Sequence, residues 1–235
     1  MNIVFLDAGT VGTDVDVHKF SSLGNLCVYM STSKEQIPER IKDADVIITN
    51  KCKLTEDVLS AATHLELICV TATGFDNVDL NYAREKGVAV CNVKGYSTDS
   101  VALVTVSTAL SLCCNLNYFD KYCKSGAYTQ SGVQNKLEPV FCEMTGKTWG
   151  IYGFGNIGKR VGKIAQALGC KILVCKREKV PEFECVSLEE LFERSDIISV
   201  HTPLNEQTKS SINQNIIDKA KPNLVLVNAD RKSVV

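Results

Sequence analysis

The chain has 235 residues, 45% of them hydrophobic and 23% charged, with a formal net charge of -1 and a pI near 6.3. This is enough apolar sequence for a sizeable core, and the charge balance excludes the basic surface that nucleic acids or acidic membranes select. Eleven cysteines, without a C-x-x-C pair and mostly in apolar runs such as Leu67-Ile68-Cys69-Val70, read as reduced core thiols.

Met1 to Asp7 enters a strand pattern directly, with none of the basic leader that marks a secretory signal, so a cytoplasmic protein is expected. Strands are predicted at Ile3 to Leu6, Leu26 to Tyr29, Val46 to Thr49, Leu65 to Val70 and Val88 to Val93. Between them, Thr32 and Glu35 form a capping box for a helix toward Ala44, and Thr55 caps Glu56 to Ala62. Asp79 caps Leu80 to Lys86, with Gly87 as the stop. A long helix follows from Ser100 to about Tyr118. Its run Val101 to Cys114 is nearly all apolar, but too short for a bilayer and interrupted by Thr105, Ser107, Thr108 and Ser111, so a buried interdomain helix is predicted. A second α/β unit begins near Thr148, with Ser187 and Glu190 capping a helix and strands at Ile197 to Val200 and Leu224 to Val227. His18, His64 and His201 have no metal-ligand spacing, and no metal site is expected.

The sharpest motif is Gly153-Phe154-Gly155-Asn156-Ile157-Gly158, between the strand ending at Tyr152 and a helix whose apolar residues Ile157, Val161, Ile164, Ala165 and Leu168 recur at helical spacing. Gly153 permits the turn, Gly155 lets backbone approach a diphosphate, and Gly158 lets helix pack on strand, which is the pattern of a dinucleotide cradle. The next strand, Lys171 to Cys175, lacks the acidic residue that would hold the ribose hydroxyls of NAD; Lys176 and Arg177 follow it instead. Two cations suit a 2′-phosphate, so NADPH is favoured over NADH, the alternative being solvated loop charges with Glu178 serving the ribose.

Four stretches in order carry a resemblance: Ala72-Thr73-Gly74-Phe75-Asp76-Asn77-Val78-Asp79; Gly95 to Ala102; Gly146 to Gly158; and Val200-His201-Thr202-Pro203-Leu204. Together they resemble the D-isomer-specific 2-hydroxyacid dehydrogenases over Met1 to about Ala229. Val4 to Ala8 with Asn50-Lys51 is most similar to the glycerate dehydrogenase (hydroxypyruvate reductase) branch. The resemblance implies an α/β fold of two Rossmann-like parallel-sheet domains joined by a long helix, the second incomplete. Residues 1–97 would be the substrate-binding domain and 98–235 the NAD(P)-binding one. It also implies hydride transfer between NAD(P)H and a small 2-oxoacid of the hydroxypyruvate or glyoxylate type, in an enzyme that is a homodimer when full length. The rival is a non-catalytic, dinucleotide-sensing protein on the same scaffold.

Position by position, the family implies that Ala72, Thr73 and Gly74 receive the substrate carboxylate. Thr105, His201, Thr202, Pro203 and Thr208 would lie by the cofactor, and Asn228 and Ala229 would border the nicotinamide. A satisfied histidine at a strand end is the plainer reading of His201. Family chemistry uses an arginine, a glutamate and a proton-donating histidine; only Arg231 stands at a matching position, so this polypeptide is expected to be an inactive fragment. The family pattern asks for glycine after that arginine, whereas the chain reads Asp230-Arg231-Lys232-Ser233-Val234-Val235. With a stop, these residues can be written GAT CGG AAG AGC GTC GTG TAG, which resembles the start of a sequencing-library adapter. The native frame is therefore expected to end near Ala229, with Arg231 a coincidence; a divergent terminus is the alternative.

Overall fold

The structure, a computed structural model, describes residues 1–178 and 180–229. The chain divides between Tyr96 and Ser97 into two compact units, each built on its own five-stranded sheet. In the first unit, β1 (Asn2–Phe5), β2 (Asn25–Val28), β3 (Val46–Thr49), β4 (Leu67–Val70) and β5 (Ala89–Asn92) lie in the order β2-β1-β3-β4-β5. All pairings are parallel, and Val4 sits opposite both Cys27 and Ile47. Strand β3, Val-Ile-Ile-Thr, is buried throughout, as a parallel strand covered on both faces must be. Leu6, Ile41, Ile47, Leu54 and Ile68 are fully buried on one side of this sheet, and Ile3, Phe5 and Ile48 pack on the other.

Helices α1 (Ile37–Ile41), α2 (Glu56–Leu59) and α3 (Leu80–Glu85) are shorter than their sequence patterns suggest. Asp79 caps α3, accepting from the backbone N–H groups of Asn81 and Tyr82 at 3.1 Å, and Gly87 ends it at φ 72°, where a side chain is disfavoured. The first capping box is displaced by one residue. Ser33 N–H donates to Gln36 Oε1 at 3.0 Å, ahead of a 3₁₀ turn over Lys34–Gln36, because the Thr32 hydroxyl donates to the Leu6 carbonyl and accepts from Arg40. Thr55 occupies the N-cap of α2 without a side-chain bond.

The second unit contains α4 (Thr98–Cys113), α5 (Leu116–Lys124), α6 (Ala127–Ser131), α7 (Asn156–Ala167), α8 (Leu188–Arg194) and α9 (Gln214–Ile217). Its strands β6 (Thr148–Tyr152), β7 (Lys171–Cys175), β8 (Glu184–Cys185), β9 (Ile197–Val200) and β10 (Val225–Asn228) are ordered β10-β9-β6-β7-β8. The predicted long helix is broken: α4 and α5 bend by 64° at Asn115, which adopts φ 50°. Asparagine tolerates that conformation better than most residues, and its Nδ2 donates to the Val140 carbonyl at 2.9 Å. Ala102, Val106 and Ala109 of α4 share a core with Trp149, Ile151 and Val161. No single helix among the described residues is long and apolar enough to cross a membrane. The Ser187–Glu190 capping box forms as expected, with reciprocal bonds of 2.9 and 3.1 Å.

Candidate dinucleotide site

In the second sheet the chain moves outward from β6 to β7 and β8, then returns to the other side of β6 with β9. The loops after β6 and β9 therefore leave in opposite directions, and a crevice opens at the carboxyl ends of these strands, where doubly wound folds bind ligands. Glycines shape it. Gly153 has φ 93°, and a Cβ there would lie 2.7 Å from backbone atoms of His201 and Thr202, so the two loops approach as they do only because no side chain intervenes. A Cβ on Gly158 would lie 2.2 Å from the Gly153 carbonyl oxygen.

Gly155 differs: a Cβ there meets no atom of the described residues within 4 Å. It is the N-cap of α7 and contributes no side-chain capping bond, leaving the first-turn N–H groups and the positive helix end facing open space. This cradle fits a diphosphate. Phe154 is buried and stacks edge-to-face on Phe183 at 5.6 Å, so it can offer a ligand only its backbone. Asn156 is exposed and Ile157 half-buried.

Across the crevice, His201 N–H donates to the Tyr152 carbonyl at 2.7 Å. Its Nε2 and the Thr202 hydroxyl are both buried without a hydrogen-bond partner among the described residues. Buried polar atoms are normally satisfied, so two neighbouring exceptions beside the glycine turn mark a surface short of a ligand. Burial pushes the His201 pKa down to about 4, leaving the ring neutral at physiological pH and unsuited to delivering a proton. Thr208 closes the following loop, donating to the Pro203 carbonyl at 2.5 Å and accepting from Asn205 N–H at 2.9 Å. Asn228 is in register with Val200, which brings Asn228 and Ala229 to the same end of the sheet.

Other candidate positions are arranged differently. Thr105 is fully buried and its hydroxyl donates within α4, to Val101 at 2.8 Å. Lys176 and Glu178 pair with each other at 3.3 Å, while Arg177 is exposed and has no ion pair among the described residues. Arg231 lies outside the described residues. In the first unit, Ala72 to Gly74 follow β4 and are pinned to the end of β5. Val93 N–H donates to Ala72 O at 3.1 Å, the Thr73 hydroxyl to Val93 O at 2.8 Å, and Asn92 Nδ2 to Thr73 O at 2.7 Å.

The first sheet has its own switch point, between β1 and β3, and there the chain supplies its own anion. The buried Asp7 carboxylate accepts from the N–H groups of Asn50 (2.8 Å), Lys51 (2.6 Å) and Cys52 (3.2 Å). Sequence reading did not assign Asp7 this part; its only signal was an acid at the carboxyl end of a first strand.

A parallel sheet with an open glycine turn and an uncapped helix at its switch point defines a Rossmann-type dinucleotide-binding protein. Residues 106–235 match the NAD binding domain of D-isomer specific 2-hydroxyacid dehydrogenases. The chain is 34% identical to hydroxypyruvate reductase of Blautia hydrogenotrophica, over 100% of this chain and 76% of that protein. Among solved structures it resembles D-lactate dehydrogenase from Aquifex aeolicus complexed with NAD and lactic acid, with TM-score 0.87 and 32% identity, covering 100% of this chain and 70% of that one. It also resembles an acyclic imino acid reductase in complex with NADPH and D-Arg, with TM-score 0.85 and 26% identity over 97% of this chain and 74% of that one. The chain thus belongs to the D-isomer-specific 2-hydroxyacid dehydrogenases, a family of NAD-dependent oxidoreductases. It spans about three quarters of the length of the hydroxypyruvate reductase.

Proposed function

We propose that the protein reduces a small 2-oxoacid, hydroxypyruvate or glyoxylate, to the D-2-hydroxyacid, with NADPH preferred to NADH. The observation that carries this reading is the open cradle at Gly155 beside the unpartnered His201 Nε2 and Thr202 hydroxyl. When bound, the dinucleotide supplies the hydride. The α7 N–H groups hold its diphosphate, His201 and Thr202 give it a polar wall, and Asn228 and Ala229 border its nicotinamide end. The pinned Ala72–Gly74 turn receives the substrate carboxylate on backbone N–H groups. Arg177 favours a 2′-phosphate; Lys176 contributes less, because Glu178 already pairs with it. Thr105 spends its hydroxyl proton on Val101, so it meets the cofactor as an acceptor.

Residues 1–235 hold no counterpart, at a motif position, of the family's acid–base histidine and glutamate, and neutral His201 does not replace them. Eleven free thiols support a reducing, cytoplasmic setting. Leu112, Leu116, Val133, Leu137, Val140 and Phe141 are large exposed apolar residues within one stretch of chain, which supports a homodimer formed through this arm. Calorimetry with each dinucleotide tests the central claim: NADPH should bind more tightly than NADH, and Lys176→Asp with Arg177→Ala should reverse the order. Tighter NADH binding by the unaltered chain would overturn the preference.

A further inference from the structure

Four thiols cluster away from the dinucleotide crevice. Cys113 ends α4, Cys114 follows it, Cys142 lies in the segment before β6, and Cys170 precedes β7. Cys170 is buried and its Sγ lies 3.4 Å from the Met144 carbonyl oxygen. Cys113 and Cys142 are neighbours through the backbone: Cys142 N–H donates to the Cys113 carbonyl at 3.3 Å. A direct bond of this kind keeps two Cα atoms roughly within the 4.4–6.8 Å that a disulfide spans. Both residues also line one cavity of about 820 Å³, together with Asn115, Met144 and Lys147. Cys142 is exposed and Cys113 half-buried, and both are free thiols.

We propose that Cys113 and Cys142 form a reversible disulfide when the protein meets a peroxide, stapling the two ends of the segment that carries α5 and α6. The two thiols have different parts. Burial, reinforced by the neighbouring thiols of Cys114, Cys142 and Cys170, pushes the Cys113 thiol up to about 11; a thiol held protonated is a poor first nucleophile. The exposed Cys142 thiolate attacks the peroxide: an S–O bond forms, the O–O bond breaks and, with hydrogen peroxide, one water leaves after proton transfer. Cys113 sulfur then attacks Cys142 sulfur. The S–S bond forms, the S–O bond breaks and a second water departs with the Cys113 proton. Two thiols have lost two electrons in all, and the peroxide has been reduced to two waters. An external dithiol reverses the step.

The pair is set apart from Cys69 and Cys91, which are in register on adjacent strands β4 and β5. Cys69 and Cys91 meet the Cα spacing as well, but the regular ladder on both strands leaves neither backbone free to bring the Cβ atoms together. Cys142 lies in an irregular segment, where the backbone can adjust.

The test treats the folded 1–235 chain with hydrogen peroxide, blocks remaining thiols with iodoacetamide, and maps cross-linked tryptic peptides by mass spectrometry without reduction. A single cross-link between the peptides holding Cys113 and Cys142 is expected. It should disappear with dithiothreitol, be lost in Cys142→Ser and in Cys113→Ser, and persist in Cys114→Ser and Cys170→Ser. Because it needs the native backbone contact, the same treatment in guanidinium chloride should give mixed pairings. Full alkylation of both thiols after peroxide, over-oxidation of Cys142 without a cross-link, or a partner other than Cys113 would each overturn the proposal.

Discussion

At Gly155 the missing side chain matters because of what lies outside the protein: a Cβ there touches none of the described residues. Gly155→Val should lower the thermal midpoint only modestly, through the poorer N-cap, while abolishing dinucleotide binding, since the added atoms occupy the diphosphate's place. Retained affinity by calorimetry would show that the turn serves only the fold. His201 gives a pH prediction of definite sign. Burial lowers its pKa from 6.5 to about 4, so between those values the unfolded chain binds the proton that the folded chain refuses. Stability of the second unit should then be full above pH 6.5 and fall as pH drops toward 4, by on the order of 3 kcal/mol at the low end. Urea denaturation at pH 7 and pH 5 checks this, and His201→Gln should remove that part of the slope.

Among the elements, the loop after β3 depends on a residue of β1's own terminus. Asp7→Ala leaves the N–H groups of Asn50, Lys51 and Cys52 without their acceptor in a poorly hydrated site, at a cost of about 2–4 kcal/mol. Asp7→Asn should lose nearly as much, because its NH₂ turns a donor toward donors. A urea midpoint for the first unit that is unmoved in both variants would contradict this account. Capping signals were legible where the side chain had no competitor, as at Asp79 and Ser187. They misled at Thr32, whose hydroxyl is engaged by a strand distant in sequence. The break at Asn115 escaped the periodicity reading because Val101 to Cys114 is nearly all apolar, which leaves no clear stripe whose end could be seen.

For the whole molecule, the exposed apolar residues between Leu112 and Phe141 predict self-association. Sedimentation should show dimers of the 1–235 chain, and Leu137→Glu with Phe141→Glu should shift them to monomers without changing the circular dichroism of the fold. A monomeric parent chain would remove the basis for the arm as an interface.

The glycine spacing, the strand–helix alternation and the ordered motifs specified the fold class and the family, because those properties follow from local backbone freedom and from the period of the apolar residues. Four things depended on tertiary structure: that Gly155 faces open space, that His201 Nε2 and the Thr202 hydroxyl lack partners among the described residues, that Lys176 is occupied by Glu178, and that Asp7 fills the first switch point. Each is a relation between groups that chain connectivity keeps apart or leaves free to turn. Only packing decides which of them meet, which are shielded from water and which are left facing a ligand.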